Sequence, residues 1–113
     1  MVRTIAFLIA SLMTAEIRSE TVDVEASGPV DLAPFGCRDI TRSSVIQRSC
    51  YDPAQARLIV SVRGVYHDYC GVPASTFAAL MAAPSMGQYF RHNIESVARD
   101  GHFDCLSPPA PNY

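Results

Sequence analysis

The chain has 113 residues, room for one domain, with 49% hydrophobic residues and a formal net charge of −2. Its nine basic residues are all arginines, so the lysine- and arginine-rich bulk that marks most nucleic-acid binders is missing. Charge is uneven along the chain. Residues 16 to 36 hold five acids against Arg18 alone, a balance of −4, and from Cys37 onward seven arginines face six acids, a balance of +1.

In chain order, Arg3 precedes the apolar run "IAFLIASLM" (Ile5 to Met13), and Thr14-Ala15 follow. A positive charge, a short apolar core and a small residue are the pattern of a secretory signal peptide, here residues 1–15. The run is too short for a transmembrane helix, which needs roughly 20 residues. The mature chain is therefore expected to be exported, to the periplasm or beyond, with no membrane span.

Residues 16–36, "EIRSETVDVEASGPVDLAPFG", mix acids with Ser, Gly28, Pro29 and Pro34 and keep no sustained period. They read as a flexible acidic spacer that touches the domain near Leu32 and Phe35. The folded part is expected over 37–105, followed by a proline-rich tail, "LSPPAPNY" (106–113).

Within the folded part, "SSVIQRSCYD" (43–52) reads as a strand ending in a turn at Pro53 to Ala56. "RLIVSVR" (57–63) alternates Leu58, Val60 and Val62 against Ile59, Ser61 and Arg63. Gly64 turns the chain into a third strand, "VYHDYCGV" (65–72). Helices follow. "PASTFAALMAA" (73–83) places Phe77, Leu80 and Met81 on one face, with Ser75 as a possible cap, and Pro84 ends it. Ser85 and Gln88 have capping-box spacing for a second helix with a core stripe of Tyr89, Phe90, Ile94 and Val97. Asp100-Gly101 stops it, and "HFDC" is expected as an extended return. The fold class is α+β: a small antiparallel three-stranded meander with two short helices on one face.

The run "YDPAQARLIVSVRGVYHDYCGVPASTFAALMAAPSMGQYFRHNI" (51–94), together with Ser43-Ser44, resembles the KTSC domain, a small bacterial module. The matching points are Ser43-Ser44, Tyr51-Asp52, Leu58 to Val62, Gly71-Val72-Pro73, Leu80, Ala83, Ser85, Gly87, Tyr89-Phe90 and Ile94. The family's function is unassigned, and RNA binding is the role suggested for it. This chain departs at His67, which stands where the family has the first tyrosine of Y-x-Y, and at Arg91, which stands where it has asparagine. The leader and the cysteines resemble an exported branch of that family.

Four cysteines, Cys37, Cys50, Cys70 and Cys105, all lie after the leader, and an even number in a small exported domain reads as two disulfides. No C-x-x-C or H-x-x-x-H spacing points to a metal. A two-residue turn at Arg63-Gly64 pairs Val62 with Val65, Val60 with His67 and Leu58 with Tyr69. His67 and Tyr69 then face the helices, while Tyr66, Asp68 and Cys70 face away. A four-residue turn at Pro53 to Ala56 sets Cys50 opposite Ile59, about 10 Å from Cys70, two inter-strand spacings of about 4.8 Å. That exceeds the span of a disulfide. Cys37–Cys50 with Cys70–Cys105 is favoured, and Cys37–Cys70 with Cys50–Cys105 stays open.

Adjacent His67 and Asp68 point to opposite faces, so they form no catalytic dyad. His102 and Asp104 read as a capped helix exit, and four bridged cysteines leave no nucleophile. No catalytic residue and no cofactor are expected. Tyr66, His67, Tyr69, Tyr89 and Arg91 are the candidate binding residues, an aromatic and arginine surface. The expected function is a non-catalytic interaction module for an envelope or extracellular protein, with nucleic-acid binding as the alternative.

Overall fold

In the computed structural model, residues 20–105 are described. The segment expected as a leader (1–15), residues 16–19 and the tail at 106–113 lie outside them. Six strands form one sheet: β1 (Thr21–Val24), β2 (Gly28–Asp31), β3 (Gly36–Asp39), β4 (Ile46–Asp52), β5 (Arg57–Val62) and β6 (Val65–Cys70), in the order β2-β1-β6-β5-β4-β3. Helix α1 (Ala74–Ala82) is followed by α2 (Met86–Phe90). The latter runs on through a π-helical turn (Arg91–Glu95) into α3 (Ser96–Arg99).

The centre of the sheet is set by its turns. Arg63 and Gly64, both at positive φ (50° and 85°), make the two-residue turn whose twist suits a hairpin. Val62 therefore pairs with Val65, Val60 with His67 and Leu58 with Tyr69. The loop Pro53 to Ala56 is closed by Asp52, whose carboxylate accepts from the Ala54 N–H and the Gln55 side chain, and it sets Cys50 opposite Ile59. Arg48 follows Cys50 on the face away from the helices, and a bulge between Ile46 and Arg48 brings Ile46 back under the helices.

The three-stranded meander is less than the sheet contains. Gly36–Asp39 adds a strand antiparallel to β4, so four consecutive strands form the meander. The segment read as a flexible spacer is, over 21–31, a second hairpin, with Val22 opposite Val30 and Val24 opposite Gly28. It joins the sheet through a single parallel bridge from Val24 to Tyr66. Its acids, Asp23 and Asp31, are exposed, while Val24 is buried and Val22 and Val30 half-buried. The period-2 pattern is thus present in a stretch whose composition looks solvated.

Each sheet face carries its own core. Under the helices lie Ile46, Tyr51, Leu58, Val60, Tyr69, Val72, Leu80, Met86, Phe90 and Ile94. On the back face Cys50 and Ile59 pack with Val24 and Leu32 of the N-terminal hairpin, and Phe35, Cys37 and Tyr66 surround them. The back face buries apolar surface because the hairpin and the segment after it, with Leu32 and Phe35, curl over it. Cys37 lies directly across the ladder from Cys50 and is bonded to it (Cα–Cα 4.0 Å); Cys70 is bonded to Cys105 (Cα–Cα 5.0 Å).

At the helical side, Pro73 stands at the N-terminus of α1, and no side chain caps that end, Ser75 included. The Ser85 hydroxyl accepts from the Gln88 N–H and caps α2. The stretch 101–103 is a turn rather than an extended return, with Phe103 at φ 63°; its carbonyl accepts the Cys70 N–H at 3.0 Å.

Candidate functional site

The outer edge of β6 is filled at both ends and open in the middle. At one end the Glu25 N–H donates to the Tyr66 carbonyl (2.8 Å), and at the other the Cys70 N–H donates to the Phe103 carbonyl (3.0 Å). Main-chain groups of a strand alternate sides, so those of Tyr66, Asp68 and Cys70 all point away from β5. The N–H and C=O of Asp68 fall between the two plugged ends and take no main-chain partner on that side among the described residues.

A groove of about 320 Å³ lies over this gap. Its floor is His67, Asp68 and Tyr69; one wall is Glu25-Ala26, and the other is Ala98 with His102 to Cys105. The Cys70–Cys105 bridge holds the second wall against the strand end. The β1–β2 hairpin supplies the first, fixed there by Ser27, whose hydroxyl donates to the Asp68 carboxylate at 3.0 Å.

That carboxylate is committed to the back face. It accepts from Arg57 at 2.6 Å, with its side chain only 6% exposed, and Arg57 in turn sits over the Phe35 ring. His67 is half-buried on the opposite face. Tyr69, beneath the groove, is packed edge-on against Phe90 at 5.7 Å. Burial, then the negative charges of Glu95 and Asp68, push its hydroxyl up to about 12.

The five candidate binding residues do not meet on one surface. His67 and Tyr69 line the groove. Tyr66 lies among the back-face core, its hydroxyl accepting from Arg48 at 3.4 Å. Tyr89 borders a separate hollow with His92, and Arg91 is exposed at the far end of the helical layer. Glu25, Ala26, Ala98 and Phe103 complete the groove without any local signal, because they converge from three distant segments.

Arg91 belongs to a second polar corner. It lines one hollow with Arg63, Val62 and Glu95, and an adjoining one with Arg42, Ser43, Ser44 and Ser85. Arg42 is anchored there by donating to the carbonyls of Ala83 (2.8 Å) and Met81 (2.7 Å), which satisfies the C-terminal end of α1. No group of three or more potential metal ligands is found among the described residues.

A family model, the KTSC domain, matches residues 42–97. Residues 42–97 form a KTSC domain. The crystal structure of a KTSC domain protein from Yersinia pestis is similar, with 29% identity and a TM-score of 0.51 over 54% of this chain and 86% of that one. No curated protein matches the chain. Many of the KTSC residues quoted above serve the fold. Tyr51 stacks on Phe77 at 4.5 Å and donates to the Val72 carbonyl at 2.6 Å, tying β4 to the entry of α1. The Ser43 hydroxyl accepts from the Val45 and Ile46 N–H groups where β4 begins. Gly87 lets α2 approach Val45, whose Cγ2 lies 3.1 Å from where a Cβ would stand. The β1–β2 hairpin lies outside the matched KTSC segment, so one wall of the groove is built by an N-terminal extension of it.

Proposed function

We propose that the protein is an exported, non-catalytic KTSC module that binds an envelope or extracellular protein through the groove at the β6 edge. The observation that carries this is the gap in the sheet edge, walled on one side by the N-terminal hairpin and on the other by the segment bridged through Cys105. Two disulfides suit an oxidising, non-cytoplasmic compartment. No helix among the described residues is long and apolar enough to cross a membrane. A non-catalytic role is supported by Asp68, whose carboxylate is engaged with Arg57 on the face opposite His67.

The test uses the full chain expressed with its leader, carrying a photocrosslinking residue at position 98 in the groove or at position 78 on the exposed side of α1. The reading expects a processed, doubly bridged product outside the cytoplasm and a discrete adduct from position 98 alone. Equal adducts from both positions, or a cytoplasmic product with free thiols, would refute it.

The corner formed by Arg42, Arg63 and Arg91 favours nucleic acid as a second reading. Binding of single-stranded RNA that weakens steeply with salt and is lost in Arg91→Ala would support it. Absence of binding at low salt removes it.

A further inference from the structure

The geometry points to a phosphate site at the corner where the start of β4 meets the start of α2. The hollow lined by Arg42 and Arg91 takes the phosphate group of a small phosphomonoester. This rests neither on the groove, with which the hollow shares no lining residue, nor on the nucleic-acid reading.

Three observations combine. The first is which arginines face acids. Of the seven arginines from Cys37 onward, Arg48, Arg57 and Arg99 lie against carboxylates. Arg38, Arg42, Arg63 and Arg91 have no acidic partner among the described residues. Three of those four, all but Arg38, border two adjoining hollows that share Val45 and Arg91. Glu95 is the one acid that lines either hollow among the described residues, and its carboxylate lies toward Arg99, at 3.9 Å.

The second is a set of hydroxyl donors. Ser43 Oγ accepts from the Val45 and Ile46 N–H groups, each at 3.1 Å, and Ser85 Oγ accepts from the Gln88 N–H at 3.3 Å. A hydroxyl oxygen that accepts from the main chain still has its hydrogen to give. Both serines, with Ser44, line the hollow beside Arg42 and Arg91, and no carboxylate among the described residues lines it.

The third is the way Arg42 is held. It donates to the carbonyls of Ala83 and Met81 at 2.8 and 2.7 Å. Carbonyls orient the guanidinium without cancelling its charge, so a positive group is in place before a ligand arrives. Arg91 lines the same hollow, exposed and with no side-chain partner among the described residues, and is available to the same anion.

A phosphomonoester suits this donor set. Near neutral pH it carries a charge of about −2 and offers three strong acceptor oxygens, which charge-assisted donors from several segments meet together. A carboxylate, with a single charge and two oxygens, leaves part of the set unmet. At about 320 Å³ the hollow is at the small end of ligand sites, so a phosphate with a small organic group fills it.

The probe is glycerol 3-phosphate, titrated at constant ionic strength into the isotope-labelled, oxidised protein and followed by amide NMR. Acetate, inorganic phosphate and a single-stranded RNA are titrated in parallel. The ester is expected to move the amides of Ser43, Ser44, Ser85 and Arg91, and to bind about tenfold more tightly than acetate. Arg91→Ala should weaken it about tenfold, while Arg38→Ala, which removes the unpaired arginine on β3, should change nothing. Inorganic phosphate should move the same amides; tighter binding than the ester would make free phosphate the ligand and overturn the ester. Silence of these amides at millimolar ester, equal binding of acetate, or equal losses from Arg38→Ala and Arg91→Ala overturns the site. So does RNA that moves these amides where glycerol 3-phosphate leaves them still.

Discussion

Arg48 reaches over the back of the sheet to Glu20, its two terminal nitrogens 2.7 and 2.8 Å from the two carboxylate oxygens. Arg48 is on β4 and Glu20 precedes β1, which joins the sheet beside β6, so this fork spans the back-face core. Two parallel hydrogen bonds fix orientation as well as charge. Glu20→Gln is expected to accelerate amide exchange in β1 and β2 while β5 stays protected. Equal protection of the hairpin in both proteins would show that the apolar contacts alone hold it down.

The same pair gives an acid sensitivity with a definite sign. Its hydrogen bonds to Arg48 hold the Glu20 carboxyl below the usual glutamate range. The contribution is therefore complete above that range and is lost as pH falls through the lowered value. Hairpin protection should drop on acidification below the ordinary glutamate range, and should be flatter with pH in Glu20→Gln.

Tyr69 sets the alkaline limit. Its hydroxyl is pushed from 10.0 to about 12, first by burial and then by Glu95 and Asp68. The unfolded chain releases this proton earlier, so stability is complete below about 10 and declines as pH rises from there to about 12. The decline amounts to about 2 to 3 kcal/mol at 1.36 kcal/mol per pKa unit. Tyr69→Phe should lessen the fall between those limits in denaturant melts; an unchanged slope would assign the alkaline loss elsewhere.

Gly87→Ala tests the contact between α2 and β4. A Cβ there would lie 3.1 Å from Cγ2 and 3.3 Å from Cβ of Val45. Overpacking of this kind costs about 1 to 3 kcal/mol, against which the helical gain of alanine is about 1 kcal/mol. A net loss of about 1 kcal/mol is expected, and the combination with Val45→Ala should show a favourable coupling. Additive losses would mean that the helix shifts freely.

The bridges differ in the loops they close. Their sequence separations are 13 and 35. Chain entropy assigns about 3 kcal/mol to the shorter and about 4 kcal/mol to the longer. The pair Cys70→Ala and Cys105→Ala should cost more in a chemical melt than Cys37→Ala with Cys50→Ala. It should also release the Phe103 carbonyl from Cys70 and weaken any groove ligand, an effect the other pair lacks.

How much of this was legible depended on locality. Turn length and period-2 alternation are local, and they place Leu58, Val60, His67 and Tyr69 on one face in the register observed. The hairpin at 21–31 also alternates, Val22 and Val24 against Asp23, but its acids and Pro29 give it the composition of a spacer. Its burial depends on Cys50 and Ile59, which lie far along the chain. The groove had no local trace, since Glu25, Asp68 and Phe103 meet only after the hairpin has curled over and the Cys105 bridge has closed. The bulge at Gln47 was equally hidden, although it decides that Ile46 faces the helices.

Three consecutive residues of β5, Leu58, Ile59 and Val60, are fully buried, two toward the helices and one toward the hairpin. Strands flank β5 on both sides, so at these three residues neither face and neither edge meets water. Partial opening of the hairpin or of the helical layer leaves β5 shut, and its amides exchange only when the whole molecule comes apart. This strand is the molecule's slow clock: its exchange rate reads the global stability, while the rim where a partner would dock is free to breathe on its own.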